Sequence, residues 1–174
     1  IMEVYTQTDQ IKNCAECVLT IGSFDGLHRG HQDIVKTLIT SASAKGKKSV
    51  LITFDPHPKH ILDKDKKLSL IISMQQKRIL LEKLGIDVLL IIPFTKEFSH
   101  MTAEDFMDNV IMRYFSPSGI VIGYDHHFGY KREGSPDFLK KYALSRDISI
   151  DIINAVADDK VVLSSTHIRE LISN

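Results

Sequence analysis

The chain has 174 residues, 43% hydrophobic, 25% charged and 7% aromatic, with no Trp, and a mean hydropathy of −0.05. That is the length and composition of one globular domain, and it excludes collagen-like, low-complexity and disordered classes. Twenty-two basic residues balance 22 acidic ones, so no global field draws in a nucleic acid or an anionic membrane, and any bound anion must be held by a local arrangement.

No N-terminal pattern of a signal peptide and no apolar run near the roughly 18 residues of a membrane span are present, so a cytoplasmic setting is expected. Ile1 precedes Met2, and Met2 reads as the natural start. Cys14 and Cys17 form a C-x-x-C. A redox pair of that kind belongs after a strand at a helix N-terminus, where the dipole lowers the thiol pKa, whereas here it leads into a strand. A zinc site would need two histidines to complete it. Incidental spacing is the expected reading.

In chain order, Cys17 to Gly22 reads as an apolar strand, and Gly30 to Lys45 as a helix with apolar Ile34, Val35, Leu38 and Ile39. Ser49 to Phe54 is a second strand, closed by Asp55-Pro56-His57-Pro58 because two prolines cannot continue a ladder. Lys59 to Lys67 reads as a charged loop. Gln75 to Leu84 has helical spacing at Ile79, Leu80 and Leu84 and stops at Gly85. Asp87 to Pro93 is a third strand, and Thr102 opens a helix as T-x-x-D that runs to about Tyr114. Gly119 to Gly123, a helix over Pro136 to Ser145, and a fifth strand over Ile148 to Ile153 follow. Val161 to Leu163 is placed as a possible extension of the sheet, and Thr166 to Ile172 as a short terminal helix.

Strands that are apolar throughout and alternate with helices imply a doubly wound α/β fold: a mostly parallel, five-stranded sheet with helices on both faces. Ligands in such folds sit beyond the carboxyl ends of the strands, which makes the loops after strands one, two and four the informative ones.

The first of these loops runs Gly22-Ser23-Phe24-Asp25-Gly26-Leu27-His28-Arg29-Gly30-His31. Its three glycines let backbone pass close to a ligand, and its end precedes a helix whose free N–H groups favour an anion. His28 and His31, spaced three apart, can meet the same phosphate. The loop is neither a Walker A sequence nor a G-x-G-x-x-G. The second loop, Thr53 to Pro58, offers fixed backbone at its prolines and an apolar wall at Phe54 for a planar ring. The third runs from Gly123 to Gly134 and contains Asp125, His126, His127, Phe128, Lys131 and Arg132. Adjacent histidines on an extended segment point to opposite sides, which speaks against a dedicated metal site there. Ser164-Ser165-Thr166-His167-Ile168-Arg169 opens the last predicted helix with hydroxyls that can cap free N–H groups.

The run G-x-F-D-G-x-H-x-G-H resembles the H-x-G-H nucleotidyltransferase superfamily, and in the form with Phe24, Asp25 and Gly26 its FAD synthetase branch. T-F-x-P-H-P at Thr53 to Pro58, G-x-D-x-x-F-G-x-x-R-x-G at Gly123 to Gly134 and S-S-T-x-I-R at Ser164 to Arg169 are similar to further motifs of that family. The resemblance implies a Rossmann-like enzyme that transfers the adenylyl group of ATP to FMN, giving FAD and pyrophosphate. It implies that His28, His31 and Arg169 stabilise charge on the phosphates, and that Gly22, Phe24, Asp25, Gly26, Gly30, Asp125, Ser165 and Thr166 hold ATP. It places Phe54, Pro56, His57, Pro58, Asp125 and Phe128 on the flavin side, with Lys131 and Arg132 as phosphate ligands.

Mg²⁺ is expected with ATP and held chiefly by its phosphates, without a dedicated protein cage. One departure stands out: the family commonly has a basic residue where this chain has Val162. Bacterial members usually continue into a C-terminal riboflavin kinase domain, and no P-T-A-N-like segment of that kinase occurs here. A single domain over residues 1–174 is therefore expected, with a covalent kinase domain possible in the natural chain. The alternatives are another H-x-G-H nucleotidyltransferase, or a flavin- or nucleotide-binding module without turnover.

Overall fold

The computed structural model describes residues 1–11, 16–24, 27, 29–56 and 73–154. Among the described residues, six parallel strands form one sheet: β1 (Glu3–Tyr5), β2 (Glu16–Ile21), β3 (Lys48–Asp55), β4 (Val88–Pro93), β5 (Ser116–Gly123) and β6 (Ser149–Ile153), in the order β1-β4-β3-β2-β5-β6. The sheet thus has one strand more than the five expected. β1 pairs with β4 through only three residues, Glu3 to Tyr5 opposite Val88 to Leu90, too few for a hydrophobic period to be read.

From β2 the chain steps outward to β3 and β4, then returns to the other side of β2 for β5 and β6. The direction reverses between β2 and β5, the place where doubly wound folds open a crevice for ligands.

The helices are α1 (Arg29–Ala44), α2 (Met74–Leu84), α3 (Ala103–Phe106), α4 (Met112–Tyr114) and α5 (Pro136–Leu144). They cover both faces because each central strand sends alternate residues into two separate cores. Leu19, Ile21, Val50, Ile52, Leu90 and Ile120 pack with α3 and α5, while Val18, Leu51, Leu89 and Val121 pack with Val35 and Leu38 of α1 and Leu81 of α2.

The helix expected from Thr102 to Tyr114 carries a π-helical turn, Met107–Ile111, between α3 and α4, and it buries Met107 and Ile111. Thr102 caps α3 by accepting from the Asp105 N–H, but the full reciprocal box is at Ser73 and Gln76, before α2. On α2 the apolar residues Ile79 and Leu80 are exposed, and Lys77 and Leu81 are the buried pair. Residues four apart share a helix face, and the sheet accepts the face that carries 77 and 81. β5 begins at Ser116 and includes Pro117, which lies where the register with β2 shifts between Cys17 and Val18; such an irregularity tolerates a residue with no N–H to donate.

Val161 to Leu163 and Thr166 to Ile172 lie outside the described residues.

Candidate active site

Two cavities open at the carboxyl ends of the central strands. The larger, about 560 Å³, lies beyond β3, β4 and β5 and is walled by Phe54, Phe94, Phe98, Phe106 and Phe128, with Lys131 and Arg132 on its lining. The smaller, about 160 Å³, is lined by Thr20, Phe24, His31 and Ile34. Gly22, Ser23, Asp125, His126 and His127 line both. Their common wall is therefore made from the ends of β2 and β5, the two strands at which the chain reverses direction.

The aromatic wall is one connected set of rings. Phe54 meets Phe94 edge-on at 5.7 Å and Phe98 at 5.9 Å, Phe98 meets Phe106 at 5.9 Å, and Phe106 meets Phe128 at 5.4 Å. Edge-to-face and tilted pairs at these separations pack the rings against one another. Phe94 and Phe98 come from the loop after β4 and stand outside the sequence motifs. The signal was available: two phenylalanines four apart follow a strand whose carboxyl end faces the same crevice.

The loop that carries Phe128 is closed by reciprocal backbone bonds, Phe128 N–H to Gly134 O at 3.2 Å and Gly134 N–H to Phe128 O at 2.8 Å. Between them, Lys131 and Arg132 adopt left-handed φ of 53° and 56°, so two adjacent cations are presented at the large cavity. A Lys131 ammonium 5.3 Å above the Tyr130 ring adds a cation–π contact to that arrangement.

His126 is half-buried, but its Nε2 is fully shielded and has no hydrogen-bond partner. Burial, reinforced by the neighbouring His127 and opposed by Asp125, lowers its pKa to about 4, so the ring is neutral near pH 7. Thr20 Oγ1, on the lining of the small cavity, is likewise buried and without a partner. Buried polar atoms of this kind in a cavity wall are where a ligand's polar groups complete the bonding.

The first loop is shaped by its anchors. Gly22 donates to Ile52 O at 2.9 Å, and a Cβ at Gly22 would lie 3.0 Å from the Phe24 ring. Phe24 is buried, holds a φ of 52° and sets its ring edge-on to His31 at 5.4 Å. Gln32 Nε2 ties the Leu27 carbonyl at 2.9 Å.

Of the residues expected at the site, Gly22, Phe24, His31, Phe54, Asp125, Phe128, Lys131 and Arg132 all line one or both cavities. Gly30 sits in the first turn of α1 and Pro56 is exposed just past β3; neither lines a cavity. Asp25, Gly26, His28, His57, Pro58, Ser165, Thr166 and Arg169 lie outside the described residues, as do Cys14 and Val162. Cys17 is buried in β2. Among the described residues, no three His, Cys, Asp or Glu side chains come together as a metal-ligand group, and no helix is long and apolar enough to cross a membrane.

The family model for FAD synthetase matches residues 10–167. The chain belongs to the FAD synthetase family. The curated relatives of this family member include a bifunctional riboflavin kinase/FMN adenylyltransferase of Listeria monocytogenes, 35% identical over 158 residues that make up 90% of this chain and 49% of the relative. The chain thus spans about half the length of the curated relatives it matches. Among solved structures, one described as a macrolide-efflux protein from Streptococcus pneumoniae superposes with a TM-score of 0.76 at 26% identity, covering 99% of this chain and 57% of the other. The pantoate–β-alanine ligase of Francisella tularensis reaches a TM-score of 0.55 at 14% identity, covering 95% and 72%, a likeness of fold. The aromatic cavity, the His31 pocket and the wall between them are thus features of a FAD synthetase-family domain.

Proposed function

We propose that this chain transfers the adenylyl group of ATP to FMN, giving FAD and pyrophosphate, and that it acts in the cytoplasm as a single domain, the adenylyltransferase half of a bifunctional kinase/adenylyltransferase architecture. The observation that carries this reading is the wall common to the two cavities. A volume of about 560 Å³ with five phenylalanines suits a tricyclic flavin ring. The pocket beside His31, at the start of α1, suits a phosphate chain, since helix N–H groups and an imidazole both complement anions. Ligands in the two cavities would bring their phosphates together at Gly22, Ser23 and Asp125.

In that arrangement an FMN phosphate oxygen attacks the α-phosphorus of ATP. A new P–O bond forms, the bond from the α-phosphorus to the oxygen bridging to the β-phosphorus breaks, and its electron pair leaves with pyrophosphate. No side chain has to act as nucleophile. The protein's work is to hold the two phosphates in line and to stabilise the charge that accumulates. His31 is assigned to the ATP phosphates, Lys131 and Arg132 to phosphate at the flavin cavity, and Phe54 and Phe128 to the flavin ring, with Phe94, Phe98 and Phe106 joining them. His28, Ser165, Thr166 and Arg169 are assigned to ATP on their motifs alone. Mg²⁺ enters as the MgATP substrate and neutralises phosphate charge; Asp125, the carboxylate lining both cavities, fits as a hard oxygen donor toward it.

Incubation with FMN, ATP and Mg²⁺, followed by separation of the flavins, tests the reading, with riboflavin as a parallel substrate. FAD and pyrophosphate in equal amounts are expected. FMN and ATP bound together without pyrophosphate release would identify a binding module instead.

A further inference from the structure

Lys77 is 6% exposed, unusual for a residue type that is rarely buried unless its ammonium is bonded. It occupies the first turn of α2, a helix start fixed by the reciprocal Ser73–Gln76 capping bonds. From there its Nζ donates to the Ser23 carbonyl at 2.7 Å. Thr53 Oγ1, fully buried in β3, donates to the same oxygen at 3.2 Å. One carbonyl in the first loop is therefore held from a strand and from a helix that begins some fifty residues later.

A planar trans peptide sets its N–H opposite its C=O. With the Ser23 oxygen drawn toward Lys77 and Thr53, the Phe24 N–H is turned the other way, in a stretch where Ser23 and Phe24 both line the small cavity with His31. A reversed peptide would set a carbonyl oxygen, a partial negative charge, against an anion. The left-handed φ of Phe24, costly for a residue with a Cβ, is a conformation that such anchoring sustains. Lys77 lines neither cavity, so its effect passes through Ser23.

We propose that Lys77 is a positioning residue for the nucleotide: its bond to Ser23 O fixes the 23–24 peptide so that the Phe24 N–H serves the phosphate chain. The inference rests on the reading of the small cavity as the nucleotide site. It distinguishes the two substrates, because Phe24 and His31 line the small cavity only, whereas the aromatic wall of the large cavity comes from other loops, with Gly22 and Ser23 shared between the two.

The test compares Lys77→Met, Lys77→Arg and Thr53→Val with the parent protein. Affinity for a non-hydrolysable ATP analogue is read by calorimetry, affinity for FMN by flavin fluorescence, and folding by circular dichroism, alongside KM for ATP and kcat. Loss of a charge-assisted hydrogen bond corresponds to about a tenfold weakening, so Lys77→Met is expected to weaken the analogue and raise KM for ATP by about tenfold. FMN affinity should stay within about twofold. Lys77→Arg, which keeps a charged donor, is expected to restore most of the loss, and Thr53→Val to cause a smaller loss of the same kind. Equal losses for nucleotide and FMN, or a lowered melting temperature with unchanged nucleotide affinity, would overturn the proposal. Should Lys77→Met not fold, unchanged nucleotide affinity in Thr53→Val would do the same. If the parent binds the analogue but forms no FAD, adenylyl transfer fails while the role of Lys77 is still read from the titrations.

Discussion

Gly129 lies against Ala103 so closely that a Cβ on the glycine would sit 2.8 Å from the Ala103 backbone nitrogen. Its φ of 79° and ψ of 173° belong to a region that residues with a side chain scarcely enter. The contact joins the Phe128 loop to the start of α3, and the Tyr130 N–H completes the join by donating to Met101 O at 2.9 Å. Gly129→Ala is therefore expected to cost about 1–3 kcal/mol of stability and to weaken FMN several-fold by displacing Phe128. Urea denaturation and flavin titration on the same sample check both.

The connected rings predict a distributed flavin wall. Phe98 touches Phe54, Phe94 and Phe106 but belongs to none of the motifs that carry the family resemblance. Phe98→Ala is expected to raise KM for FMN by about tenfold, the scale of one aromatic contact and its buried area, with kcat changed much less. A loss confined to kcat would remove Phe98 from the flavin site.

His31 and the aromatic wall should separate kinetically. His31→Ala is expected to lower turnover by about 10² or more, the usual scale for removing a group that stabilises developing charge. FMN affinity should be nearly unchanged, because His31 lines the small cavity alone. Pyrophosphate release assays paired with flavin fluorescence read the two quantities.

His126 predicts a pH dependence whose sign is definite. Its pKa falls from 6.5 to about 4 on folding, chiefly through burial, so between those values the unfolded chain binds more protons than the folded one. Stability is then lost as pH falls from about 6.5 to about 4, and the loss is complete below that range. His126→Gln keeps a polar group without this titration and should flatten the melting temperature over that window relative to the parent. Parallel curves for the two proteins would show that His126 does not titrate differently on folding.

Much of the fold was legible because the four inner strands and β6 are apolar runs separated by helical periods, and burial on both faces of a sheet demands that pattern. β1 was not, since three residues, Glu3 to Tyr5, carry no period and become a strand only when β4 offers an open edge. The candidate site was half legible. Gly22, His31, Phe54, Asp125 and Phe128 stand in motifs with fixed spacing, and all reach the cavities. Phe94 and Phe98 are marked only by their spacing after a strand that ends at the crevice, and Lys77 stands in ordinary helix sequence with nothing local to mark it.

Without any coordinates, the chain's balanced charge required a local anion site, its alternating apolar runs required a parallel sheet with two covered faces, and its motifs pointed to FAD synthetase chemistry. Tertiary structure alone decided which loops meet at the reversal between β2 and β5, which face of α2 turns inward, and that a lysine in that helix would hold the Ser23 carbonyl. The reason is physical: periodicity reports whether a residue is buried, whereas the partner it is buried against depends on the packing of segments far apart in the chain.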